Sequence, residues 1–253
     1  MIRSERADGG AYRVVTIDRP AARNALRPAD LDALEAAVAE ATEPVVLLRG
    51  AGEAFCAGAD LDVVADLSDP AAFAGHGQRV ARTIETADAV VVAGVDGAAR
   101  GGGVELALAC DVRIATPDAS FAETGVRFGL FGAWGGTVRL PRVVREGDAL
   151  EFALSGRTVD AEQARRIGLV SRVVDDPAAV AEELVGNEPT ALAAVKTLLR
   201  NGGSTAEPEE AGGDDVERER AKRGRTERER AEREAFARLH GMHAAEIARD
   251  RNG

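Results

Sequence analysis

Residues 94–112, GVDGAARGGGVELALACDV, constrain the fold more than any other stretch of the chain. The run 90–95 that leads into them is rich in valine and reads as a buried strand. Gly97 and then Gly101, Gly102 and Gly103 turn the chain, and Leu106, Ala107, Leu108 and Ala109 carry it into a core as helix. A strand, a glycine-rich turn and a helix leave backbone N–H groups pointing outward at a helix N-terminus, where they can hold negative charge. Glycine lets a ligand approach the main chain because no Cβ stands in the way. Glu105 falls in the first turn of this helix. A carboxylate there either complements the helix dipole or faces the ligand and carries protons.

The 253 residues make one large domain, or one domain and an extension. At 45% hydrophobic and 4% aromatic residues, a full core is built mostly from Ala, Val and Leu. Two cysteines, Cys56 and Cys110, are too few for a disulfide framework or a metal cluster. The segment MIRSERADGG lacks the apolar centre of a signal peptide, and no apolar run approaches the ~20 residues that cross a bilayer. A soluble, cytoplasmic protein with no membrane partner is the expectation. The net charge of −11, from 43 acids against 32 bases, argues against nucleic acid as a partner. Only two bases are lysines, Lys196 and Lys222. An acidic, lysine-poor surface suits a salt-rich cytosol, and a GC-rich genome that favours Arg and Ala produces the same counts.

Taken in order, residues 11–18 read as a strand that ends at Arg19-Pro20, and 21–26 as a loop. Pro28 opens a helix carried by Leu31, Leu34, Ala37 and Val38, Pro44 stops it, and 45–48 is a buried strand. In AFCAGADLDVV, residues 54–64, the small Ala57, Gly58 and Ala59 put main chain within reach of a ligand. Asp60 reads as the cap of a short helix, and Cys56 as a small buried hydrophobe. Asp69-Pro70 opens a helix to about residue 87, in which His76 has no partner visible in sequence. Residues 111–115 read as a strand. Residues 121–136, FAETGVRFGLFGAWGG, form a glycine-rich loop in which Glu123 lines a pocket or faces solvent, and Trp134 packs. Helices fit 147–154, 161–167 and 189–200, and a strand fits 169–174. This places a core over residues 1–200, a polar linker or loop over 201–215, and a charged helical segment over 216–253. The last carries helical pairs such as Glu219 with Arg223, Glu229 with Arg233 and Glu234 with Arg238, and a stripe of Ala235, Phe236, Leu239 and Met242 fit for docking.

Five stretches together resemble the crotonase family, the enoyl-CoA hydratases and isomerases. They are ARNAL at 22–26, AFCAGADL at 54–61, GAARGGGVELALACD at 97–111, FAETGVRFGLFGAWGGTVRLPR at 121–142 and SGRTVDAEQARRIGLVSRVV at 155–174. The resemblance implies an α/β fold, a ββα spiral core with C-terminal helices, assembled as a homotrimer or a dimer of trimers. It implies an acyl-CoA thioester as substrate, with no metal and no cofactor besides the coenzyme A of that substrate. By motif position it assigns an oxyanion hole to the N–H groups of Ala57 and Gly102. Removing or adding a proton beside a thioester puts charge on the carbonyl oxygen, and losing one donor in a comparable hole costs ~2.7–4 kcal/mol. Cys56, Ala59, Asp60 and Leu61 become candidate contacts for the coenzyme, Arg23 a candidate phosphate contact, and the helix near 70–87 a wall of the acyl pocket.

The chain departs from the pattern in one place. The resemblance makes Glu105 the first of two hydratase glutamates, but the second position, four after Phe121, is Gly125. Arg100, before the triplet, is also unusual. Water addition needs groups to deprotonate water and to deliver the α-proton. Either Glu123 replaces the missing carboxylate, although two residues along a strand is ~6.5 Å, or Glu105 acts alone, or the chain binds acyl-CoA with poor turnover or none. A lone glutamate also serves isomerisation or thioester hydrolysis. Hydratase is the expected activity, with Glu105 as the principal acid-base residue.

Overall fold

A computed structural model describes residues 1–202 and, further on, residues 230, 231, 233–236, 238 and 242. The chain divides into two compact units, Met1–Gly186 and Asn187–Gly253.

The first unit is mixed α/β. Its strands are β1 (Ile2–Arg6), β2 (Arg13–Ile17), β3 (Val45–Gly50), β4 (Val90–Val95), β5 (Ala98–Arg100), β6 (Val112–Ala115), β7 (Ser120–Ala122), β8 (Val159–Asp160) and β9 (Arg172–Val173). Its helices are α1 (Pro28–Ala39), α2 (Leu61–Ala65), α3 (Pro70–Thr86), α4 (Gly102–Ala109), α5 (Gly136–Val143), α6 (Glu146–Ser155), α7 (Ala161–Arg166) and α8 (Ala178–Val185). One sheet has the order β1-β2-β3-β4-β6-β9, and a smaller one the order β5-β7-β8. In the larger sheet only β1 is antiparallel to its neighbour. Val45–Leu48 and all of β4 are buried, as strands covered on both faces must be, and Leu47 pairs with Val92 across them.

The cap foreseen for α2 is present, and α3 is capped in the same way. Asp60 accepts from Asp62 N–H and Asp69 from Ala72 N–H, and Asp160 does the same for α7 through Gln163 N–H. Asp111, the last residue of its motif, accepts from Val91 N–H at 2.8 Å and so ties the end of α4 to β4. β1 was not foreseen, because IRSER has one inward residue, Ile2, and no apolar alternation.

The second unit opens with a helix, Pro189–Gly202. It therefore lies beyond the unit boundary and runs into the stretch read as a linker. The remainder of 201–215 lies outside the described residues, as does most of 216–253. The described residues near the C-terminus are helical, with Arg230 Nε donating to Glu234 at 2.8 Å. Ala235 is buried, and Phe236 and Met242 are exposed.

The segment at Cys56 and the first turn of α4 meet where main chains touch. A Cβ on Gly103 would lie 2.1 Å from Cys56 O, whereas one on Gly147, in α6, would meet nothing within 4 Å. We expect Gly103→Ala to lower stability by about 1–3 kcal/mol through overpacking. Gly147→Ala should leave stability unchanged or raise it by about 0.4–1 kcal/mol. Urea denaturation of both variants checks the contrast, and equal effects would refute it.

Candidate active site

A buried asparagine assembles the site. Asn24 and its neighbour Arg23 both adopt left-handed backbone, with φ of 59° and 50°. In that conformation Asn24 Nδ2 donates to Ala51 O at 3.0 Å and to Ala54 O at 2.6 Å, while its Oδ1 accepts from Arg19 N–H. The ARNAL loop is thereby fastened to the segment ahead of AFCAGADL. Cys56 Sγ donates to Asn24 O and accepts from Gly58 N–H, and burial pushes its thiol up to about 12. Cys56 is a packing residue outside the cavity lining.

The segment 56–60 is bonded on two sides. Cys56 N–H reaches Ala98 O and Arg100 N–H reaches Cys56 O, while Leu26 N–H reaches Gly58 O and Asp60 N–H reaches Leu26 O. Ala57 N–H is donated to Arg23 O at 3.0 Å. The expected donor at Ala57 is therefore already engaged. Among the described residues, the N–H groups of Ala59 and Gly102 have no acceptor. Gly102 opens α4, where an amide has no partner inside the helix. The two stand close together, since a Cβ on Gly58 would lie 2.9 Å from Gly102 N. Asp60, besides capping α2, pairs with Arg19 at 2.5 Å, which holds its carboxyl below the usual range; it does not line the cavity, whereas Leu61 does.

Ala57, Ala59, Gly101, Gly102 and Glu105 border one cavity of about 340 Å3, lined also by Leu61, Phe73, Phe128, Leu130 and Trp134 among others. The helix foreseen as a wall supplies Pro70, Phe73 and Ala74. Trp134 packs edge-on to Phe73 with ring centroids 6.0 Å apart, and also walls the cavity.

Glu105 is 1% exposed. Its Oε1 accepts from Trp134 N–H at 2.8 Å and Gly136 N–H at 2.6 Å. Oε2 lies beside Gly132, where a Cβ would come within 2.8 Å of it. Arg139 steadies this turn by donating to Trp134 O while its guanidinium binds Glu85. Burial pushes the Glu105 carboxyl up to about 7, against the pull of the Gly136 and Trp134 amides and the Arg139 charge. A carboxyl near neutrality with one oxygen fixed is suited to taking and returning a proton.

Glu123 is 8% exposed and its Oε2 is buried with no hydrogen-bond partner. Burial, and then the nearby Glu105, push it up to about 8. It does not line the cavity of Glu105 but an adjoining smaller one. Gly125 lines both, and its O accepts from Leu130 N–H, folding the 125–130 loop back on itself. A Cβ on Gly125 would lie 3.0 Å from Phe131 Cα, so this loop keeps glycine there for close packing. Sequence reading missed Asn24, the free amide of Ala59 and the Trp134 and Gly136 amides; the small residues of AGA and AWGG are the signal that main chain approaches closely there.

Elsewhere, His76 Nε2 sits 2.7 Å from Asp32, with Glu35 nearby, and none of the three lines the cavity. Among the described residues no helix is long and apolar enough to cross a membrane.

Both raised carboxyls make stability depend on pH. In the folded protein Glu105 and Glu123 keep protons up to about 7 and about 8, whereas the ordinary value is 4.5. Their contribution is thus complete below the unfolded value and is lost as pH rises through the folded values. Urea midpoints measured between about pH 5 and pH 9 should fall, and Glu123→Gln should flatten that fall. A slope unchanged by the substitution would show that Glu123 is ionised at neutral pH.

A family model described as enoyl-CoA hydratase/isomerase matches residues 9–226. A short-chain-enoyl-CoA hydratase from Clostridium acetobutylicum is 35% identical over 206 residues, covering 76% of this chain and 79% of that protein. A crotonyl-CoA hydratase from Syntrophomonas wolfei is 40% identical over 168 residues, covering 64% of this chain and 65% of that protein. Among solved structures, a putative enoyl-CoA hydratase from Streptomyces coelicolor A3(2) superposes with a TM-score of 0.81 at 30% identity, covering 98% of this chain and 91% of that one. Fold, motif order and sequence agree that this chain is an enoyl-CoA hydratase-like enzyme and belongs to the enoyl-CoA hydratase/isomerase family, with the crotonase fold.

Proposed function

We propose that the chain adds water across the α,β double bond of an acyl-CoA thioester, with Ala59 and Gly102 N–H as the oxyanion donors and Glu105 as the acid-base group. One observation carries this reading: Glu105, pinned through Oε1, shares a cavity with two N–H groups that have no acceptor. The thioester oxygen sits at the two amides. Glu105 takes a proton from water, the hydroxide oxygen bonds to the β-carbon, and the π electrons move onto the thioester oxygen as an enolate. The two donors and the dipole of α4 stabilise that charge in a site walled by apolar side chains. Glu105 then returns the proton to the α-carbon, so the product has gained one water. The reaction needs no metal or further cofactor.

The coenzyme lies along 57–61, where Ala59 and Leu61 reach the cavity. Arg23 is exposed, and its charge acts on Arg100, whose guanidinium is fixed by Ala99 O, Ser120 O and Ser120 Oγ. Two guanidinium groups that act on each other favour phosphate there. Exposed Phe128, Leu130, Phe131, Leu150 and Leu154 support assembly as a trimer or a dimer of trimers.

Because Glu123 lines a different cavity, isomerisation by Glu105 alone is the second reading: one carboxylate takes a proton from one carbon and returns it to another. Loss of the enoyl absorbance of crotonyl-CoA identifies a hydratase, and migration of a β,γ double bond into conjugation identifies an isomerase. Glu105→Gln should keep the fold and lower kcat at least ~100-fold in either case, the scale of an acid-base contribution. Since the base form is the ionised carboxylate, kcat/KM should rise with pH through about 7. Near-normal turnover by Glu105→Gln would reject the assignment.

A further inference from the structure

The adjoining cavity measures about 160 Å3 and is lined by Glu123, Val126, Thr137, Leu140, Ala153 and Leu154, with four residues more. It is far larger than the ~10–15 Å3 that one water requires. Gly125, Phe131 and Gly132 line it and the Glu105 cavity alike. Two of these three have no side chain, so the partition is a layer of main chain and one aromatic ring. The wall is apolar except for the Glu123 carboxyl and Thr137. More than nine-tenths of Glu123 is buried, and its Oε2 has no hydrogen-bond partner. A buried polar atom left unpaired is costly, and a ligand group that pairs with it recovers that cost.

We infer that this second cavity receives the far end of the acyl chain, where Glu123 donates a hydrogen bond to an uncharged oxygen, a ketone or hydroxyl, borne by that chain. The inference rests on the acyl-CoA reading above. An acyl chain that starts at Ala59 and Gly102 and passes Glu105 meets the Gly125–Gly132 partition next, and Glu123 stands behind it. The carboxyl raised to about 8 keeps its proton at neutral pH, which makes it a donor. A carboxylate at the chain end is the wrong match, since its charge would add to that of Glu105. A plain alkyl end fits the walls but leaves Oε2 unpaired.

The test compares two α,β-enoyl-CoA esters of equal length, one plain and one with a ketone near its far end. The ratio of their kcat/KM values is read in wild type, Glu123→Gln and Glu123→Leu. The saturated analogue of each ester is titrated calorimetrically into the same proteins, so that binding is read without turnover. We expect wild type to favour the keto ester about tenfold or more, because a site built to bond a substrate oxygen discriminates strongly against its absence. Glu123→Gln, which keeps an N–H donor, should retain the preference, and Glu123→Leu should abolish it. A wild type that shows no preference overturns the inference, as does a preference that survives in Glu123→Leu. If no ester is turned over but the calorimetric ratios follow the expected order, the hydratase reading fails and the side cavity stands.

Discussion

The approach of residues 56–59 to the first turn of α4, with no side chain between them, is the constraint that everything else depends on. Gly103 leaves room for Cys56 O, and Gly58 for Gly102 N. A methyl group at either place would drive the two segments apart. Only at this spacing can two amides from distant parts of the chain face one oxygen. Asn24 sustains the approach from the other side, holding the carbonyls of Ala51 and Ala54 with one buried amide. A buried side chain that meets its own hydrogen-bonding needs while pairing loop carbonyls makes a loop as rigid as a strand.

The electrostatics follow from that packing. Glu105 enters the core on the first turn of α4, and its lost hydration is partly replaced by the Trp134 and Gly136 amides. The replacement is incomplete, so its proton is held to about 7 rather than released at 4.5. A fully solvated carboxylate would be too weak a base, and a buried one without those amides would stay protonated. Glu123 has no such amides and keeps its proton further. Two carboxyls close in sequence to the same motif set are thus given different roles by their surroundings. One lies in a cavity with two free amides and is raised to about 7, and the other faces a small apolar space and is raised to about 8.

Much of this was legible beforehand. The glycine triplet, Glu105 at the helix start, the Asp60 cap and the proline-opened helices are local features, set by sterics and hydrogen bonding within a few residues. Ala59 was less legible. Along an extended segment Ala57 and Ala59 present their amides to the same side, and which one stays free depends on where the Arg23 carbonyl ends up. That carbonyl is placed by the left-handed turn at Arg23 and Asn24, which no local pattern in ARNAL announces. The side chain of Glu123 was illegible for a similar reason, since the loop that folds back at Gly125 decides which cavity it enters.

By itself the sequence determined the main helices and strands of the core, because short-range periodicity, caps and glycine positions encode these, and its motifs carried the resemblance that implied the family, the acid and the helix that walls the pocket. Tertiary structure alone decided which amide remains a donor, which cavity each carboxyl lines and how strongly each holds its proton. Those properties arise from burial and from partners many residues away. They exist only once the chain has closed around them.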